Sequence, residues 1–235
     1  MELRLVIDTK QQKIPFNYHQ IIQGIIYHAL TPETGKQLHD EGYGEKRKFK
    51  LFVFSELKGN YNADHNGLVF LQQVQLHIAS LSTQFINELY LYFKDHRTLS
   101  LNGIEVEILN MKIKDDIEYH ENEEYVLKTL SPITCYKTED NGFTNYIHPN
   151  SEEFEQALIG NLERKQALLG EQEGSFKLLE VVKYKKRIVK YKKVSYCAYD
   201  CTLKVKVSNQ LLHVLLNTGL GTKNPAGFGM VKIIG

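Results

Sequence analysis

The sequence has no run of about 18 uninterrupted apolar residues, so no membrane-spanning helix is expected. It has only three cysteines, Cys135, Cys197 and Cys201. An odd count without a regular spacing argues against a disulfide framework and fits a reducing cytoplasm. Cys197 and Cys201 have no Cys or His close by to complete a zinc site, so they read as small buried residues. The stretch Met1-Glu2-Leu3-Arg4-Leu5-Val6-Ile7-Asp8 carries an acid early and alternates like a strand. It lacks the basic and apolar regions of a secretory signal. A strong overall charge is missing too: 29 basic residues against 28 acidic ones leave a net +1. Any charge-driven binding must therefore come from a local patch.

What is present is an ordinary globular composition of 235 residues, 42% hydrophobic, enough for one large or two small domains. Residues 2–8 alternate as a half-buried strand. Ile21, Ile22, Ile25, Ile26 and Ala29 recur at helical spacing over 18–30. Strands are expected at 49–57, 67–78 and 104–113, with a helix over 80–94 carrying Leu81, Phe85, Ile86, Leu89 and Phe93. The order β-α-β-β-α-β is that of a ferredoxin-like unit. The acidic, weakly patterned stretch 115–124 reads as a boundary. Beyond it, 125–136 is strand-like, with Pro132 at an edge or bulge. Ser151 caps a helix that stops at Gly170. Residues 176–196 form one long or two short strands, and 202–207 alternates cleanly. Ser208 opens a helix that Gly219 closes, and 230–234 is a last strand. The fold class expected is α+β, two tandem ferredoxin-like units at 1–118 and 119–235.

Two stretches suggest anion binding. Gly219-Leu220-Gly221-Thr222-Lys223-Asn224-Pro225-Ala226-Gly227-Phe228-Gly229 pairs two Gly-apolar-Gly units around Lys223 and Asn224. Such a loop can expose consecutive N–H groups as an anion nest, or it can be a turn between a helix and an edge strand. The glycines alone leave both open. The second stretch holds Lys183, Lys185, Lys186, Arg187, Lys190, Lys192 and Lys193, interleaved with Tyr184 and Tyr191. Clustered cations with aromatic neighbours are the footprint of nucleic acid, against the alternative of a solvated hairpin.

Tyr27, on the first helix, projects nearly opposite Ile22, Ile25 and Ala29 and shares its face with Gln20 and Gln23. It either packs against another element or faces a site. His39 lies in the glycine-punctuated stretch Leu38-His39-Asp40-Glu41-Gly42-Tyr43-Gly44 and can give or take a proton near neutral pH. Lys50 opens the second strand after Lys46, Arg47 and Lys48. Taken singly, each reads as structural or solvated. Together they lie within 24 residues on elements that can converge at one edge of the first unit.

The stretch Pro15-Phe16-Asn17-Tyr18-His19-Gln20 leading to Gln23-Gly24-Ile25-Ile26-Tyr27 resembles the first-helix signature of the CRISPR-associated repeat-cleaving endoribonucleases of the RAMP superfamily. Leu38-His39-Asp40-Glu41, Lys50-Leu51-Phe52-Val53-Phe54-Ser55 and Thr129-Leu130-Ser131-Pro132-Ile133 resemble its next landmarks, and the loop Gly219 to Gly229 its most specific one. The resemblance spans nearly the whole chain in the right order. It implies metal-independent cleavage of CRISPR precursor RNA within the repeat, with no cofactor. Tyr27 then corresponds to the general base, with Tyr43 as an alternative, and His39 to the general acid. Lys50 corresponds to the phosphate-supporting lysine, with Lys46 and Lys48 as neighbours that could serve instead. The basic cluster and Gly219, Gly221, Lys223, Asn224, Gly227 and Gly229 become the expected RNA-binding set. The partner is repeat RNA, with other CRISPR-associated subunits or a second copy of the chain as further partners. Two other readings stand beside this one: a non-catalytic RNA-binding subunit of an interference complex, and a ferredoxin-like small-molecule regulator. The Tyr–His–Lys set speaks against the former and the basic cluster against the latter.

Overall fold

The computed structural model describes residues 1–38, 49–115, 117–170 and 174–235. In the first part of the chain the elements are β1 (Glu2–Asp8), β2 (Lys13–Ile14), α1 (Tyr18–His28), α2 (Pro32–Lys36), β3 (Phe52–Phe54), β4 (Tyr61–Asp64), β5 (Gly67–Phe70), β6 (Val74–Ser80), α3 (Thr83–Asp95), β7 (Thr98–Leu101) and β8 (Ile104–Lys114). The main sheet runs β3-β6-β1-β8-β7, all antiparallel. Leaving out the added hairpin strand β7, the four strands stand in sheet order second-third-first-fourth. Strict alternation on β1 buries Leu3, Leu5 and Ile7. Ile22 and Ile26 of α1 and Phe85, Ile86, Leu89 and Phe93 of α3 close over the same core. Ser82 caps α3 by accepting from Phe85 N at 3.1 Å.

The second part repeats the plan. Its elements are β9 (Glu124–Thr129), β10 (Tyr136–Thr138), β11 (Thr144–Tyr146), α4 (Glu152–Ala167), β12 (Phe176–Tyr191), β13 (Val194–Val207), α5 (Asn209–Thr218), a 3₁₀ turn at Asn224–Ala226, and β14 (Val231–Ile233). The sheet order β12-β13-β9-β14 is again second-third-first-fourth, antiparallel throughout. The two tandem ferredoxin-like patterns expected from the sequence are thus both present, each over its own core.

Four boundaries differ from expectation. The strand expected at 67–78 is two: after Leu71-Gln72-Gln73, β6 enters the main sheet, while β5 pairs with β2 and β4 in a separate one. Gly67 is required there, because a Cβ would lie 2.4 Å from the carbonyl oxygen of Ile14. Of the strand expected at 49–57, Phe52–Phe54 forms the regular ladder with β6, Ser55 N still donates to His77 O at 2.9 Å, and Leu51, Ser55 and Leu57 are also buried. The strand expected at 125–136 is β9 and then, past Pro132, β10 in a two-stranded ribbon. Residues 194–207 form one strand rather than two. It pairs with β12 across the two-residue turn Lys192-Lys193, in which Lys192 has φ 54°. Ser151 and Ser208 sit at the helix starts, but neither side chain caps its helix. Cys201 is buried as expected, whereas Cys197 is half-buried; Cys135 is buried as well.

Candidate functional site

Tyr27 occupies the last turn of α1. Its ring packs edge-on against Phe52 of β3 at 6.0 Å between centroids, so it lies on the rim of the first core rather than facing away from it. The Tyr27 hydroxyl is buried and has no hydrogen-bond partner among the described residues. Burial pushes the phenol up to about 12. Lys50, two residues before β3, carries its ammonium 5.1 Å from the centroid of the Tyr27 ring, within cation–π range. Two of the three residues picked out near the N-terminus therefore meet. The third, His39, lies outside the described residues, as do Tyr43, Lys46, Arg47 and Lys48. A shallow depression of about 670 Å³ borders Tyr27, His28, Thr31 and Lys36. A second hollow of about 390 Å³ lies beside Leu51, Ser80 and Phe85. A third, about 500 Å³, between Met1, Asp115, Asn217 and Lys232, contains none of the expected site residues.

The basic hairpin reaches this place. At its tip Tyr191 donates its hydroxyl to Oε1 of Gln23, one helical turn before Tyr27. Nε2 of Gln23 donates to Pro225 O in the glycine loop at 2.6 Å. Lys183, Lys185, Lys186, Lys190, Lys192 and Lys193 are exposed along the hairpin, as is Tyr184. Arg187 departs from the expectation. Its guanidinium binds Asp200 at 2.8 Å and Glu56 of the first unit at 3.2 Å. Paired to two carboxylates, it ties the units together instead of offering a free cation.

The glycine loop departs further. Gly219, Gly221, Asn224, Gly227 and Gly229 are buried, and of the expected RNA contacts there only Lys223 is exposed. The amides of Gly219, Leu220, Thr222, Gly227 and Gly229 already donate to protein carbonyls, so they do not form an open nest. The loop is the joint between the two units. Gly227, at φ 83°, lets the backbone approach the Phe54 ring, where a Cβ would be 2.5 Å away. Ala226 and Phe228 pack with Val189, Tyr191 and Ala198, and Met230 packs with Val53, Ala79 and Leu130.

Two buried polar residues in this joint escaped the sequence reading. Lys165 of α4 donates to Thr218 O (3.1 Å), Gly219 O (2.6 Å) and Asn224 Oδ1 (2.9 Å), and burial lowers it to about 7. Its signal was its place on the helix stripe of Phe154, Leu158 and Leu162. His19 of α1 is buried beside Phe54 and Phe228, and Nδ1 has no partner among the described residues. Burial drives it down to about 4, against an opposing backbone hydrogen bond with Ala226.

Comparison with known proteins adds the family. The family model described as "CRISPR associated protein Cas6, C-terminal" matches residues 112–233. The chain belongs to the Cas6 family. A CRISPR-associated endoribonuclease Cas6 from Pyrococcus furiosus is similar at 26% identity over 252 residues, covering 99% of this chain and 89% of that protein. A second, from Methanocaldococcus jannaschii, is 25% identical and covered in full. A solved structure titled "CRISPR associated protein Cas6" superposes over 100% of this chain and 99% of its own, with a TM-score of 0.81 and 25% identity. The tandem ferredoxin-like architecture is therefore that of the Cas6 structures.

Proposed function

We propose that this chain is an endoribonuclease that cuts CRISPR precursor RNA within its repeats, with Tyr27, His39 and Lys50 as its catalytic residues. The observation that carries this reading is the placement of the Lys50 ammonium over the Tyr27 ring, on two elements that flank His39 in sequence. The exposed hairpin lysines supply a phosphate-binding track that ends beside α1, where Tyr191 meets Gln23. We also divide the chain into domains at residues 118 and 119, between the two sheets.

In the proposed reaction the 2′-oxygen of the RNA attacks the adjacent phosphorus. The new O2′–P bond forms as the P–O5′ bond breaks, leaving a 2′,3′-cyclic phosphate and a 5′-hydroxyl. His39 gives its proton to the departing 5′-oxygen. Lys50 stabilises the negative charge that grows on the non-bridging oxygens. With its phenol near 12, Tyr27 is almost wholly neutral at pH 7, about one molecule in 10⁵ being ionised. It therefore orients the 2′-hydroxyl for in-line attack, and the proton lost from that hydroxyl passes to solvent. No step calls on a metal ion.

A single cleavage assay tests this. Repeat RNA with a 2′-deoxy sugar at the cut should bind but stay intact, and EDTA should leave cleavage of the normal RNA unchanged. His39→Ala should abolish cutting while retaining affinity. Cleavage of the deoxy substrate would overturn the mechanism. RNA binding without any cleavage would favour the non-catalytic RNA-binding subunit.

A further inference from the structure

The ribbon β10–β11 belongs to neither main sheet, yet it presents two tyrosines side by side, Tyr136 and Tyr146, at 5.8 Å between ring centroids. Tyr136 also meets Tyr196 of β13 at 6.5 Å, the two rings inclined at 43°. All three are half-buried, and Tyr136 and Tyr146 belong to no hydrophobic core. The group is held rigidly. Thr134 donates to Cys197 O at 2.9 Å, Ile147 N donates to Cys135 O at 2.9 Å, and Tyr196 packs edge-on against buried Phe228 at 5.6 Å. Lys223, the exposed cation of the glycine loop, lies 5.6 Å over the Tyr196 ring. Tyr196 pairs across the hairpin with Val189, two residues from Tyr191, so it shares the face that leads to Gln23 and α1. Glu139, a carboxylate in the turn of the ribbon, is held by the side chains of Asn141 and Asn145.

We propose that Tyr136, Tyr146, Tyr196 and Lys223 form a base-stacking subsite for one unpaired nucleotide of the bound RNA, away from the cut. Rings this far apart and this inclined do not stack face to face on one another, and a base stacked against them needs no particular identity. Lys223 supplies the contact to that nucleotide's phosphate. Lys192, whose ammonium lies 5.7 Å over the Tyr191 ring, continues the positive charge toward Tyr27. The charge surrounding the rings favours RNA over an apolar protein surface. The subsite rests on the RNA-processing reading only for the choice of RNA.

The test is an affinity scan with fluorescently labelled repeat RNA from the array of the same genome, carrying one abasic ribose at each position in turn. One abasic position should weaken binding to the wild-type protein by about tenfold. Tyr196→Leu should weaken binding of the intact RNA by a similar factor and lose all sensitivity at that one position. Tyr196→Phe, which keeps a ring, should bind within about twofold of wild type. Tyr136→Leu, which does not touch the glycine loop, should repeat the Tyr196→Leu result if the latter folds poorly. Unchanged affinity in both leucine variants, or abasic sensitivity that persists in them at every position, overturns the subsite and points to a protein partner for the rings. If wild type binds with this pattern but never cuts, the subsite stands and the nuclease reading falls.

Discussion

Tyr191 donates its hydroxyl to Gln23, and the same Gln23 side chain donates to Pro225 O. One amide thus joins the tip of the basic hairpin, the helix that carries Tyr27, and the glycine loop. Replacing Gln23 with Leu should leave two partners unsatisfied and cost about 1–3 kcal/mol of stability. Tyr191→Phe should cost about 1 kcal/mol, and the double variant should fall short of the sum, because both changes break one network. Denaturant midpoints with unchanged slopes check this, and strict additivity would argue that the two side chains do not cooperate.

The neutral Tyr27 gives a pH test. A phenolate base with its phenol near 12 would make the cleavage rate climb about tenfold per pH unit through neutrality, a climb that Tyr27→Phe would remove. An orienting phenol predicts the opposite: Tyr27→Phe slows cleavage by about 10–100-fold at every pH and leaves the shape of the profile unchanged. Lys50→Ala should slow it by about 10²–10³-fold with little change in affinity.

His19 should make the protein sensitive to acid. Its ordinary value near 6.5 applies in the unfolded chain, and burial lowers it to about 4 in the folded one. Between these values the unfolded chain binds the extra proton, so stability is present above about 6.5 and is lost as pH falls toward 4. Protonation would also place a second N–H at the unpartnered Nδ1, near Arg187 and Lys58, whose charges also oppose it. The loss from this group is roughly 3 kcal/mol. Urea unfolding at pH 7, 5.5 and 4.5 should show it, and the fall should be shallower in His19→Leu, whatever that variant's stability at pH 7.

Arg187 and its lysine neighbours should separate cleanly. Each exposed lysine that touches RNA, tested as Lys190→Ala or Lys192→Ala, should reduce the slope of log affinity against log salt by about 0.7. Arg187→Ala should leave that slope nearly unchanged while costing about 1–3 kcal/mol of stability, since it takes from the mostly buried Glu56 one of its two cationic partners, Lys58 being the other, and from Asp200 its guanidinium. A loss of about 0.7 in slope in Arg187→Ala would return this residue to the RNA-binding set.

Much of the architecture was legible because local periodicity and packing agree. The alternation of Leu3, Leu5 and Ile7 and the helical spacing of Phe85, Leu89 and Phe93 each state one buried face. Tyr27 and Lys50 were legible as candidates through family resemblance, while their contact needed the placement of α1 against β3. What stayed hidden was set by distant partners. Nothing local tells that Arg187 meets Glu56, 131 residues away, or that Gly227 lies against Phe54 and His19. Lys165 was missed for the same reason: a lysine on an apolar stripe signals burial only when three carbonyl acceptors wait for it. The aromatic group at Tyr196 was missed because its members come from three separate segments.

The joint has a consequence for the order in which the protein is made. Gln23 and Pro225 are 202 residues apart. At about 5–20 residues per second, the ribosome adds the partner of α1 roughly 10–40 s after α1 itself. For most of that interval the nascent chain carries Tyr27 on a helix with neither hairpin nor loop against it. A chain arrested before residue 219 would hold every strand of the first sheet and the hairpin, yet lack the glycine loop that receives Gln23. The joint of helix, hairpin and loop is therefore completed only when synthesis is nearly finished.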